Sequence, residues 1–331
     1  MLIKVYCIKQ RAGEMMVRKL TKNFVGLIIT LIVLMGLQSS VWANSKIIFI
    51  PHDNRPISFA QTVESAEGLG FEIVVPPENL LGNRTDSGKV EELWQWLFQE
   101  IKTADSVVLS ADSLIYGSLV DSRKHELSLE TLLERTDKFA KLKQLQPNLR
   151  IYVFASIMRS PRSSFGGVEP SYYEQYGPSI FAATALEDKA ETVGLTKVEE
   201  KELLKFKKNV PEAAFADWLE RRSKNFTVNA KLVSLVNNNN FVYLALGRDD
   251  NAPFSQTRKE SRLLKEQASA TPVSKFQCLA GIDELGMVLL TRAINDLSFN
   301  IPLVKIEYAN GVGKNTVPTY SDEEIDKSIW Q

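Results

Sequence analysis

The charged residues of this chain that could do chemistry fall in five short motifs, and each motif follows a β-rich run. Asp53 and Arg55 lie in PHDNRP (51–56), and Asp112 and Arg123 in ADSLIYGSLVDSR (111–123) with Tyr116 between them. Arg159 lies in SIMRSP (156–161), Arg248, Asp249 and Asp250 in GRDDNAPFSQT (247–257), and Asp283 and Glu284 in AGIDELGM (280–287). Carboxylates that share a site repel one another, so such a cluster needs cations, protons or a metal to be tolerated. The arginines supply cations. A pocket of fixed positive and negative groups suits a polar, sugar-like ligand, and a carboxylate pair can run acid/base or nucleophilic chemistry at a glycosidic bond. Asp250 and Asp283 are the expected catalytic pair. Asp53, Arg55, Asp112, Tyr116, Arg123, Arg159, Arg248, Asp249 and Glu284 are the expected substrate-binding set, with Tyr116, Tyr308 and Phe254 as candidate stacking faces.

Plainer readings stand beside these. Aspartate is a common helix cap and turn former, so Asp283 has an equal claim to cap the helix that starts at Glu284, and Asp112 to hold a turn. Two histidines, His52 and His125, without HxH, HExxH or CxxC spacing, argue against zinc. An all-oxygen Mg²⁺ or Ca²⁺ site built from Asp53, Asp112, Asp249 or Asp250 stays open. The chain has neither a GxSxG elbow nor a Walker loop, and no cofactor is expected. Three functions follow: a carbohydrate-active hydrolase, a non-catalytic envelope protein that binds a polar ligand, or a metal-dependent hydrolase.

The elements that must position these residues alternate in type. Strands are predicted over 45–50, 71–75, 106–110, 150–155, 241–246, 275–280 and 302–308, and helices over 90–102, 129–145, 257–268 and 284–297. Residues 171–237 are helical in composition, with interleaved charges such as KVEEKELLKFKK that suit a solvated face, and read as a helical insertion. Strands joined by helices predict an α/β fold with a parallel sheet. That sheet is either an open doubly wound one or an incomplete TIM-barrel-like one. In both, ligands meet the carboxyl ends of the strands.

The apolar run 27–37 (LIITLIVLMGL), preceded by Arg18, Lys19 and Lys22 and followed by Val41-Trp42-Ala43, has the form of a secretory signal cleaved after residue 43. It is shorter than the ~20 residues that span a bilayer, so no stable membrane insertion is expected after cleavage. The expected location is exported, periplasmic or extracellular, with a single domain over 44–331. The chain has 40 basic and 40 acidic residues, and the first 43 hold six of the former and one of the latter, leaving a net charge near −5. That balance offers nothing to nucleic acid, so the expected partner is a small molecule or glycan. Of the two cysteines, only Cys278 remains after cleavage, in an apolar run that suits a buried, inert thiol.

The same five motifs, in this order, resemble the bacterial domain-of-unknown-function family numbered 4127, over about residues 46 to 331. The matching positions are Asp53, Arg55, Pro56, Asp112, Tyr116, Gly117, Arg123, Arg159, Gly247, Arg248, Asp249, Asp250, Asp283, Glu284 and Gly286. The resemblance implies these residues but no reaction. Ser118 stands where the family pattern has a second glycine, and members of the family usually run beyond the position of Gln331.

Overall fold

Five of the predicted strand segments are apolar at nearly every position, as strands covered on both faces must be. The computed structural model describes residues 3–8, 45–164, 166–249, 252–308, 313–318 and 324–329. Strand β1 (Ile3–Ile8) stands apart from the main body. The chain then runs through β2 (Lys46–Ile50), α1 (Ala60–Ala66), β3 (Glu72–Val74), α2 (Val90–Glu100) and β4 (Ser106–Ser110). Two short helices, α3 (Ala111–Ile115) and α4 (Asp121–Lys124), precede α5 (Leu129–Leu145) and β5 (Arg150–Ile157). Helices α6 (Tyr173–Thr192), α7 (Lys197–Lys208) and α8 (Glu212–Asn237) lead to β6 (Tyr243–Arg248). Finally come α9 (Gln256–Gln267), β7 (Phe276–Ala280), α10 (Leu285–Leu297), β8 (Leu303–Tyr308) and α11 (Ile325–Ile329).

Six strands form one sheet in the order β3-β2-β4-β5-β6-β7, and every neighbouring pair is parallel. Side chains alternate across it with period two. Ile48, Ile50, Val107, Leu109, Ile151, Val153, Leu244 and Leu246 face α2, α5, α8 and α9 in one core. Ile47, Phe49, Val108, Tyr152, Phe154, Tyr243 and Ala245 face α1 and α10 in the other. A closed barrel carries its helices on the outside only. Helices on both faces make this an open, doubly wound sheet, and its order reverses between β2 and β4, the switch point at which such sheets bind ligands.

Two regions differ from the simple alternation. The expected insertion is three helices, but the second half of α8 (Val228, Leu232, Val233, Leu235 and Val236) belongs to the main core. It is the crossover helix between β5 and β6. The added part is α6, α7 and the start of α8, which close a small core of Tyr173, Ile180, Val210 and Trp218 beside Met158. Helix α7 buries no residue, as its charge pattern predicts. The second difference is β8, which pairs antiparallel with β1 and lies outside the six-stranded sheet. Helix α10 explains this. It crosses back over the sheet, and Tyr152 and Arg150 of β5 hold Asp296 at its end with bonds of 2.5 and 2.9 Å. The chain therefore leaves α10 beneath β5, away from the free edge of β7.

Of the expected export signal, residues 1–43, only 3–8 are described, as strand β1, and residues 9–43 lie outside the described residues. No described helix is long and apolar enough to cross a membrane. Cys278 is buried, and burial pushes its thiol pKa up.

Candidate functional site

The carboxyl ends of the strands bring much of the expected set to one cleft. After β2 the chain turns so that Asp53, 1 % exposed, accepts from the Arg55 backbone N–H at 3.1 Å and from its Nε at 2.9 Å. The other end of that guanidinium donates to Asp283 Oδ1 at 2.8 Å. Asp283 therefore spends its carboxylate on Arg55, and α10 starts without a side-chain cap. What delivers Asp283 is a tight crossing of β6 and the end of β7. Gly281 has φ +84°, its N–H donates to the Arg248 carbonyl at 2.7 Å, and a Cβ on Gly247 would fall 2.5 Å from the Gly281 oxygen. Only glycine fits at either position.

Beyond β5, Arg159 donates through Nε to Glu169 at 2.6 Å and lies 3.5 Å from Asp249 Oδ2. Its backbone is fixed from below. Arg222 of α8, 1 % exposed, forms a two-pronged pair with Glu260 at 2.7 Å on each arm and also donates to the carbonyls of Met158 and Arg159. Arg123 of α4 enters the same space but stands off: its nearest carboxylate oxygens, on Glu169 and Asp249, are 3.8 and 3.9 Å away. Burial first, then the neighbouring Arg159, lowers the pKa of its guanidinium to about 10.

A fourth arginine arrives on the loop after β3. A Cβ on Gly88 would meet the Gly117 oxygen at 2.4 Å, so this loop can press onto the Gly117 turn only because Gly88 has no side chain. Ser87 ties it to Asp121 at 2.6 Å, and Arg84 then projects to the Gly166 carbonyl at 3.4 Å. Ser118, the departure from the family pattern, uses its hydroxyl to accept from the Asp121 N–H and donate to its carboxylate, which closes the turn into α4.

The resulting cleft encloses about 280 Å³. Arg55, Arg84, Arg123, Arg159, Asp249 and Asp283 line it, over an apolar floor of Leu119, Val120, Val168 and Ile282. The other expected residues lie elsewhere. Asp112 is buried behind the strand ends, where it accepts from the Ser156 N–H and hydroxyl at 2.9 and 3.0 Å and lies 2.9 Å from His52 Nδ1. Arg248 is buried against Ser261 and the Cys278 carbonyl. Glu284 is exposed at the start of α10. Tyr308 bonds Asp326, far along the chain from the strand ends. Tyr116 stacks on His125 and faces a shallower depression of about 500 Å³ at the start of α2. Burial, and then the Asp112 charge, raises its hydroxyl pKa. Asp250 lies outside the described residues. Among the described residues no three His, Cys, Asp or Glu side chains converge as metal ligands. Asp53 and Asp112 are already engaged by Arg55 and by His52 with Ser156.

Two cleft contributors escape a reading of the strand ends. Arg84 sits in GNRTDSG, ten residues after β3, and the same strand-end rule would have found it had it been extended along that loop. Glu169 lies on the long loop after β5, is 5 % exposed and has one oxygen without a partner among the described residues. No sequence signal marks it.

No curated protein matches the sequence. Residues 47–331, which carry all five motifs and the whole six-stranded sheet except its first residue, match the family model described as protein of unknown function (DUF4127), and the chain belongs to that family.

Proposed function

We propose that this is an exported protein that binds a small polar ligand in the cleft at the carboxyl ends of β2 to β7. The observation that carries the reading is the lining itself: four guanidinium groups and two partly exposed carboxylates over an apolar floor, at the end of a doubly wound sheet where ligands bind. Fixed charges of both signs recognise a hydroxylated or charged molecule and reject an apolar one. Val168 is half-buried on the apolar floor, so Val168→Trp plugs the space without entering either sheet core. A library of sugars and sugar acids, screened by thermal shift on the protein from residue 44 onward, should give binders that Val168→Trp abolishes. Binders that Val168→Trp leaves unchanged would refute the site. Export is supported by residues 18–43, and N-terminal sequencing of the protein recovered outside the cytoplasm should begin at residue 44.

A second reading, glycoside hydrolysis, is favoured by one observation: Asp249 and Asp283 share the cleft, and Asp250 is next in the chain. Under it, Asp250→Asn or Asp283→Asn abolishes turnover of a bound glycan and leaves the melting temperature nearly unchanged. Normal turnover by both variants removes it.

A further inference from the structure

Every cleft arginine but two has a hydrogen-bonded carboxylate. Arg55 is held by Asp53 and Asp283, and Arg159 by Glu169 and Asp249. Among the described residues Arg84 reaches only a backbone carbonyl, at 3.4 Å, from an exposed position. Arg123 is the unusual one. Its side chain is 7 % exposed, it lines the cleft, and among the described residues its guanidinium forms no hydrogen bond. A buried cation is tolerated when its donors are met, and an unmet one is costly. Elsewhere in this fold the rule is kept, because Arg222 places its donors on Glu260, Thr257 and two carbonyls. Arg123 also crowds Arg159 and Arg55, and that like charge adds to burial in weakening its hold on a proton.

We infer that the ligand carries a compact oxyanion, a carboxylate or a phosphate, that seats on Arg123 at the base of the cleft with Arg84 closing over it from the rim. This deepens the binding proposal and rests on it. The guanidinium fork matches two oxygens of either anion. Arg84, with its single long contact, is free to turn inward, whereas Arg55 and Arg159 are fixed by their own pairs and serve to hold the cleft open. Asp249 and Asp283, paired with Arg159 and Arg55 but still about a third exposed, then face the hydroxyl-bearing part of the same molecule.

The test uses the protein from residue 44 onward with four probes: inorganic phosphate, D-glucuronate, glucose 6-phosphate and glucose. At low ionic strength phosphate should raise the melting temperature of the wild type but not of Arg123→Gln. Glucuronate or glucose 6-phosphate should bind at least tenfold tighter than glucose, and the arm that binds tighter identifies the anion. Arg123→Gln should weaken that binding about 10- to 100-fold, the range of a lost charged hydrogen bond, and Arg84→Gln should weaken it less. Without ligand, Arg123→Met should melt at the wild-type temperature or up to roughly 4 °C higher, because a charge with no hydrogen-bonded partner and with Arg159 as a like-charged neighbour has been removed. A fall instead would make Arg123 a structural residue and overturn the inference. Equal binding of glucose and the acids, blocked by Val168→Trp but indifferent to Arg123→Gln, overturns the oxyanion and leaves the binding site standing. Indifference of every probe to Val168→Trp overturns both.

Discussion

Arg222 and Arg123 are both buried arginines, 1 % and 6 % exposed, and their surroundings answer the same charge in opposite ways. Arg222 lies between α8 and α9, stacked over Trp218 at 4.7 Å and bonded to Glu260 through both prongs. Its contacts to the Met158 and Arg159 carbonyls fasten the end of β5, and so it places Arg159 in the cleft without touching the cleft itself. Arg123 lies where that placement ends, with two carboxylates at nearly 4 Å and no bond to either. A buried charge whose donors are all bonded holds structure in place, whereas one that faces a cavity with its donors unbonded can receive an anion there.

The comparison breaks first at Arg222. Arg222→Met leaves Glu260, 5 % exposed, without its cation, and should cost about 3–5 kcal/mol in urea unfolding. Replacing Glu260 by Leu as well should restore part of that loss. A cost below about 1 kcal/mol for the single change would place Arg222 with Arg123 and erase the contrast.

His125 sharpens it from a third side. Its Nε2 lies 2.7 Å from the Asn225 oxygen, and its buried Nδ1 has no partner among the described residues. Burial, opposed by the Asn225 contact, lowers its pKa from 6.5 to about 4. The unfolded chain therefore takes up a proton more readily than the folded one. The stabilisation is complete above pH 6.5 and is lost as the pH falls toward 4. Between pH 7 and 4.5 the wild type should lose about 2 kcal/mol more than His125→Gln, whose amide can still meet Asn225. Equal losses would mean that the ring is not held neutral by burial.

The smallest effect is expected on α7, where charges are solvated and none is buried. Lys201→Ala and Lys205→Ala should each change unfolding free energy by less than about 0.5 kcal/mol. A larger change would mean that this helix is docked against something beyond its own chain.

Much of the fold was legible because buried parallel strands are spelled as apolar runs. The limits expected for 106–110 are those of β4, and the limits expected for 129–145 are those of α5. The choice between an open sheet and a barrel was not legible, because it depends on which face α1 and α10 cover, and periodicity shows a helix's apolar stripe but not the side of the sheet that it meets. The partner of β8 was hidden for a similar reason: pairing is a long-range property, and β1 lies in the segment set aside as a signal. At the site, the strand-end rule brought Asp53, Arg55, Arg123, Arg159, Asp249 and Asp283 into view together. It could not separate Arg123 from Arg248, since both follow strands and both are buried. Only the partners around each guanidinium distinguish a cleft residue from one bonded to Ser261 and the Cys278 carbonyl.

The contrast between the two arginines can be watched directly in the protein labelled with ¹⁵N-arginine, through the Nε resonances of Arg123 and Arg222, assigned by the Arg123→Gln and Arg222→Met variants. Adding inorganic phosphate should move the Arg123 signal in a saturable way and leave that of Arg222 in place. An Arg123 signal that stays fixed while phosphate is raised, or that shifts only in step with Arg222, would contradict the account of this cleft as an anion-binding site.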